Sequence, residues 1–303
     1  MPGMLEITIL FATIFTGYSV KFLGKRFNRS KLIEEPMNYL TKLIYYILLP
    51  VLFVTIFAER GLSLADFSIS IVSLLYVFIS LIILWVMVRE PDPRFKKAFV
   101  LTSIFQNTIY LGFPVVMVLY GNIKYAAMYA LITMVLHLTV GGILGGSRNI
   151  LKTILSIPVL YGFIFGNIIH YFSYELYFSL AVVKPFISVI VTYGSAFVMG
   201  YALPLDITGL TRYTKPIASI TLYRITLSPL IHIVLMSWLN LPIEAFYQIL
   251  VEAFMPPALT NIIIARIYQW NQELVSTATL VSTFISVAVV FTLYWTGILV
   301  LPT

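Results

Sequence analysis

A chain of 303 residues that is 60% hydrophobic and only 10% charged is no soluble globule, whose usage runs near ~45–50% apolar and ~25% charged. With no cysteine it has no disulfide framework, thiolate metal site or cysteine nucleophile. Its net charge of +7 is distributed as a membrane-topology pattern rather than as a nucleic-acid surface, so no nucleic-acid partner is expected.

Crossing a hydrocarbon layer of ~30 Å takes about 20 apolar residues in a helix. The chain offers ten such stretches, at 5–22, 37–58, 66–88, 97–120, 124–146, 153–172, 180–202, 216–238, 245–267 and 274–300. Polar breaks such as "GKRFNRSKLIEEP", "REPDPRFKK" and "GSRNILK" separate them. The runs are too long for alternating transmembrane strands of ~9–11 residues. The expected fold is therefore an all-α integral membrane protein with ten transmembrane helices, multi-pass in the cell membrane with the lipid bilayer around it. With the N-terminus outside, 16 Lys and Arg residues, Arg224 among them, fall on one side, against Arg60, Lys124 and Lys184 on the other. The positive-inside rule then places both termini on the non-cytoplasmic side.

Ten helices with short links predict two five-helix repeats of opposite orientation, 1–150 and 151–303, in which the fourth and ninth helices correspond. Those two break the hydrophobic pattern. The fourth carries Gln106, Asn107, Thr108, Gly112 and Pro114; the ninth carries "VEAFMPPALTN", with Glu252, Pro256, Pro257 and Asn261. A broken helix leaves backbone N–H groups unpaired at the start of its second half, where the dipole amounts to roughly half a positive charge. Bare lipid does not tolerate such a break, so it must be buried in protein or line a cavity.

Asn107 suits the N-cap of one second half and Pro257 the first position of the other. Two such ends converging favour a carboxylate. The candidate substrate-binding residues are Asn107, Gln106, Thr108 and Asn261, and the candidate breakers are Gly112, Pro114, Pro256 and Pro257. Glu252, a carboxylate deep in a span, reads either as a coupling site for a proton or sodium or as an internal partner for Arg224 or a histidine. Arg224 reads either as a side chain reaching for the cytoplasmic face or as a counter-charge for anions. His137 and His232 read as hydrogen-bonded packing residues. No metal ligand set or cofactor is called for beyond a coupling ion.

"QNTIYLGFPVVMVLYG" resembles the fourth helix of the auxin efflux carrier family, which includes prokaryotic malonate and malate permease-like members, at Asn107, Thr108, Leu111, Gly112, Pro114, Tyr120 and Gly121. The ninth stretch is similar to the same family over Met255, Pro256, Pro257, Asn261, Ala265, Tyr268, Leu274 and Ser282. Gly17-Tyr18, Leu49-Pro50, "MGYAL" and "LYRITLSP" fit its first, second, seventh and eighth helices. The resemblance implies a 5+5 inverted repeat with crossed, broken helices 4 and 9. It implies a scaffold from helices 1, 2, 6 and 7, a transport part from helices 3–5 and 8–10, and an elevator-type cycle. The substrate it implies is a small organic anion, and a homodimer is one assembly it allows. The chain departs from the family at Gln106, where a proline is usual, and at "TYGSAFVMG", where a proline is common. It also lacks the long loop that plant members carry after helix 5.

The leading reading is thus a secondary carrier for small carboxylates, dicarboxylates or auxin-like acids. A sodium-coupled carrier like the bile-acid symporters and a transport-incompetent ligand sensor are the alternatives. An enzyme is not expected, since the chain has no H-E-x-x-H, no G-x-S-x-G and no paired intramembrane aspartates.

Overall fold

The computed structural model describes residues 4–172 and 174–300, and among these the regular structure is entirely helical. In chain order, α1 is Met4–Arg26; α2, Ser30–Leu43, continues through a π-helical turn Ile44–Leu48 into α3, Leu49–Arg60; and α4 is Leu64–Met87. After α5, Pro93–Ile104, the chain is irregular until a second π-helical turn, Thr108–Gly112, leads into α6, Phe113–Tyr120. Then come α7, Lys124–Gly145; α8, Ile150–Leu155; α9, Pro158–Phe172; α10, Tyr174–Ala202; and α11, Gly209–Arg212. The last are α12, Thr214–Ile225; α13, Leu227–Trp238; α14, Ile243–Ala253; α15, Leu259–Ile267; and α16, Gln272–Trp295.

Among the described residues, seven helical stretches are long and apolar enough to cross a bilayer. The expected stretches 97–120, 153–172 and 245–267 are built instead from shorter pieces. Both π-helical turns have one cause. Each ends just before a helix whose second residue is proline, Pro50 or Pro114. Proline lacks an N–H and its ring crowds the carbonyl four residues back, so the preceding turn widens and the helix passes on.

The chain divides into two compact units, each drawn from both halves of the sequence. One comprises Met1–Asp66, Ile109–Ala127 and Leu151–Ala202; the other comprises Phe67–Thr108, Met128–Ile150 and Leu203–Thr303. In the first unit α1 lies on α10 and α3 on α9. Glycines allow both approaches. A Cβ on Gly200 would strike the backbone of Ile14, and one on Gly162 would strike the Pro50 carbonyl. Gly162 and Gly166 are four residues apart on α9 and both face α3, the small-xxx-small arrangement by which membrane helices pack closely. In the second unit α12 and α5 pack on α16, whose buried residues include Thr277, Thr279, Ser282, Thr283 and Ser286. The Ser282 hydroxyl is 2.8 Å from that of Thr221 on α12.

Candidate functional site

The second unit contains both interruptions expected from the sequence, and they meet. Helix α5 stops because Phe105 is extended, with φ −93° and ψ 115°. Helix α14 stops ahead of Pro256 and Pro257, neither of which has an N–H, while a residue before proline is itself biased toward extended backbone. The two irregular segments pair antiparallel, with Gln106 opposite Pro257. The Asn107 N–H donates to the Pro256 carbonyl at 2.8 Å, and the Ala258 N–H to the Phe105 carbonyl at 2.9 Å. The prolines therefore occupy positions where no donor is needed, and the donors come from the residues beside them. Backbone polarity that hydrocarbon would leave unsatisfied is met within the pair.

Arg224, on α12, closes the other side of the breaks. Its Nε and Nη2 donate to the Met255 carbonyl at 2.9 and 2.7 Å, and Nη2 also reaches the Ala253 carbonyl at 2.9 Å. Its Nη1 lies 2.9 Å from the Tyr76 hydroxyl, 3.1 Å from Ser228 Oγ and 3.2 Å from the Ile104 carbonyl. Ile104 and Ala253 are the last residues of α5 and α14. One guanidinium thus serves the carbonyl ends of both first half-helices. The side chain is fully buried, which corrects the reading of Arg224 as one that reaches for the cytoplasmic face. The orphan carbonyls at two helix ends hold it inside, and it drops out of the count of charges by side.

The polar network continues from there. The Gln106 amide nitrogen donates to the Tyr129 hydroxyl, and Arg224 Nη1 approaches the Gln106 oxygen at 3.4 Å. Tyr129 is 2.7 Å from His232 Nε2, and His232 Nδ1 donates to the Ser228 carbonyl at 2.7 Å. On another flank, Asn261 Nδ2 donates to the Phe105 carbonyl at 3.2 Å while its Oδ1 is 2.7 Å from His137 Nε2. The His137 ring stacks on Phe105 with centroids 4.4 Å apart.

The expected site residues therefore separate. Gln106, Asn107, Thr108 and Asn261 are brought together at the paired breaks, each 6% exposed or less. The amides of Gln106 and Asn261 are engaged with protein groups, so these two hold the breaks in place. Gly112 and Pro114 do not interrupt the fourth stretch: Gly112 has helical angles and Pro114 stands in the first turn of α6. The expected first helical position at Pro257 shifts to Leu259, with Ala258 extended at the cap, because pairing with Gln106 occupies Pro257. Glu252 is fully buried, and neither of its carboxyl oxygens has a hydrogen-bond partner among the described residues. It forms no ion pair there with Arg224 or a histidine. Tyr76, Tyr129, Ser228 and His232 complete a network that the sequence reading did not assemble. The available signal was an arginine inside the apolar stretch 216–238, which needs several oxygens around it.

The first unit carries a separate polar feature. One cavity there, of about 600 Å³, is lined in part by Leu52, Arg60, Met117, Lys124, Lys184 and Ser188. Arg60, Lys124 and Lys184, the three cations that fall outside the basic side in the sequence, share this one cavity. Arg60 makes a two-pronged pair with Asp66 at 2.7 and 2.8 Å, and Lys184 pairs with Glu59.

No curated protein matches the chain. Residues 6–145 match the family described as "Membrane transport protein", which covers α1 to α7 and the first of the two breaks. Over that stretch, a little under half of its length, the chain is similar to this family of membrane transport proteins.

Proposed function

We propose that the protein is a secondary carrier that moves small organic anions across the membrane by an elevator-type cycle. The observation that carries this reading is the pairing of the two breaks at Gln106 and Pro257. Two helical runs begin immediately beyond it, at Thr108 and Leu259. Each contributes roughly half a positive charge at its start, the field that favours carboxylates at helix N-termini. Broken helices in corresponding positions of two inverted repeats are the arrangement in which transporters hold substrate at mid-membrane, with the fourth and ninth helices crossing. An elevator cycle needs two parts, and the chain has two compact units, one with α1–α3, α6 and α8–α10 and the other with α4, α5, α7 and α11–α16. The second half of the fourth stretch, α6, groups with α1–α3. Glu252 is the coupling group in this reading, a buried carboxyl three residues before Met255 that can exchange a proton.

The test is uptake of labelled malonate, malate and indole-3-acetate into proteoliposomes of the purified chain, each with a pH gradient, a sodium gradient or a clamped potential. Saturable uptake of at least one acid is expected, driven by the pH gradient, with Glu252→Gln abolishing that drive. Saturable binding of these acids without flux would replace the carrier with a sensor. Uptake by Glu252→Gln that still follows the pH gradient would remove the coupling role.

A further inference from the structure

We propose that Arg224 is a resident cation occupying the place where cation-driven carriers bind their metal ion, so that this protein works without sodium. The inference deepens the carrier reading above and rests on it for the transport arm of its test.

Carriers with broken helices commonly coordinate sodium through unwound backbone carbonyls and the C-terminal ends of half-helices. Here the same class of oxygens is assembled around one point: the Ile104, Ala253 and Met255 carbonyls with the Tyr76 and Ser228 hydroxyls, all within 3.2 Å of guanidinium nitrogens. Ile104 and Ala253 end α5 and α14, and each helix end carries roughly half a negative charge, so together they match a single positive one. The guanidinium supplies that charge from a permanent, tethered group whose planar fork spans both ends at once. Surrounding it, Tyr76 also donates to the Ile104 carbonyl at 2.8 Å and Ser228 to the Ala253 carbonyl at 3.1 Å. These oxygens are thus already turned toward a cation and satisfied by it. A metal ion entering here would have to displace the arginine and leave a buried guanidinium unpaired, which is strongly unfavourable.

The experiment compares wild type, Arg224→Ala and Arg224→Lys in choline, sodium, low-millimolar guanidinium and tetramethylammonium salts at constant ionic strength. It reads both thermal unfolding of the purified full-length chain and uptake into proteoliposomes. Wild type is expected to unfold at the same temperature, and to transport at the same rate, in choline and in sodium. Arg224→Ala is expected to lose uptake roughly tenfold or more, because buried carbonyls lose their donor. Guanidinium, but not tetramethylammonium, should raise its unfolding temperature saturably and restore part of the flux. Arg224→Lys should be intermediate, as an ammonium supplies the charge without bridging both helix ends. A saturable rise in wild-type unfolding temperature or uptake with sodium would overturn the proposal, as would an Arg224→Ala protein indifferent to guanidinium. Should Arg224→Ala not fold, the wild-type sodium titration and Arg224→Lys still decide. The unfolding arm needs no substrate, so a failure to transport any acid sinks the carrier reading while leaving this inference separately tested.

Discussion

The Met255 carbonyl takes two donors from Arg224, Nε at 2.9 Å and Nη2 at 2.7 Å, and thereby ties the break in the ninth stretch to α12. The neighbouring carbonyls are better insured. Ile104 keeps the Tyr76 hydroxyl and Ala253 keeps Ser228 when the guanidinium is removed. Arg224→Met should therefore orphan chiefly the Met255 carbonyl and cost about 1–3 kcal/mol. Tyr76→Phe alone leaves Ile104 with Arg224. The double variant strips Ile104 of both donors, so its cost should exceed the sum of the single costs by about 1 kcal/mol. Denaturant unfolding of the four proteins in detergent measures that coupling, and simple additivity would deny the shared carbonyl its role.

Asn107 and Asn261 are both buried amides at the paired breaks, yet they predict different phenotypes. Asn261→Ala loses the bonds to Phe105 and His137 and should destabilise the chain by about 1–3 kcal/mol. Asn107→Ala keeps the backbone N–H that holds the Pro256 carbonyl, so the pairing survives. Its expected defect is in transport, a loss of about tenfold or more, worth about 1.4 kcal/mol in substrate affinity or barrier. Wild-type flux from purified Asn107→Ala would remove that side chain from the substrate site.

Pro256→Ala tests the break itself. Alanine restores an N–H and a strong helix preference, which lets α14 run on past Ala253 and competes with the pairing of Gln106 and Pro257. Membrane insertion should be unaffected, because the stretch stays as apolar. Flux should fall by about tenfold or more, the same scale as for Asn107→Ala. A fully active Pro256→Ala carrier would mean the break does not need this proline.

How much of this was legible follows from what leaves a mark in one dimension. Apolar run lengths located the helices, because lipid demands them, and Gln106, Asn107, Pro256 and Pro257 marked the interruptions. The sequence pointed to Gly112 and Pro114 as breakers, whereas the helix passes both, since a π-helical turn absorbs the proline's missing donor. The role of Arg224 was hidden because its acceptors lie on α5, α14 and the segment after it, and a positive charge in an apolar run reads equally well as a side chain reaching for water. Gln106 reads as a candidate binding residue, and what one dimension does not show is that its amide is held by Tyr129 and approached by Arg224.

The three cations in the first unit's cavity should separate by how their partners are buried. Lys184 and Glu59 have side chains 31% and 44% exposed, and such pairs are worth about 0–1 kcal/mol, so Lys184→Gln should leave unfolding nearly unchanged. Asp66 is only 1% exposed and also accepts from the Ser63 N–H and hydroxyl. Arg60→Gln would strand that carboxylate and should cost about 3–5 kcal/mol. If the cavity gathers anions on their way to the carrier, Lys124→Gln and Lys184→Gln should raise KM, leave kcat unchanged and flatten the dependence of KM on ionic strength. Uptake kinetics across a salt series reads this. A KM in both lysine variants that still follows salt as in wild type would show that the cavity's charge serves only the local pairs with Glu59 and Asp66.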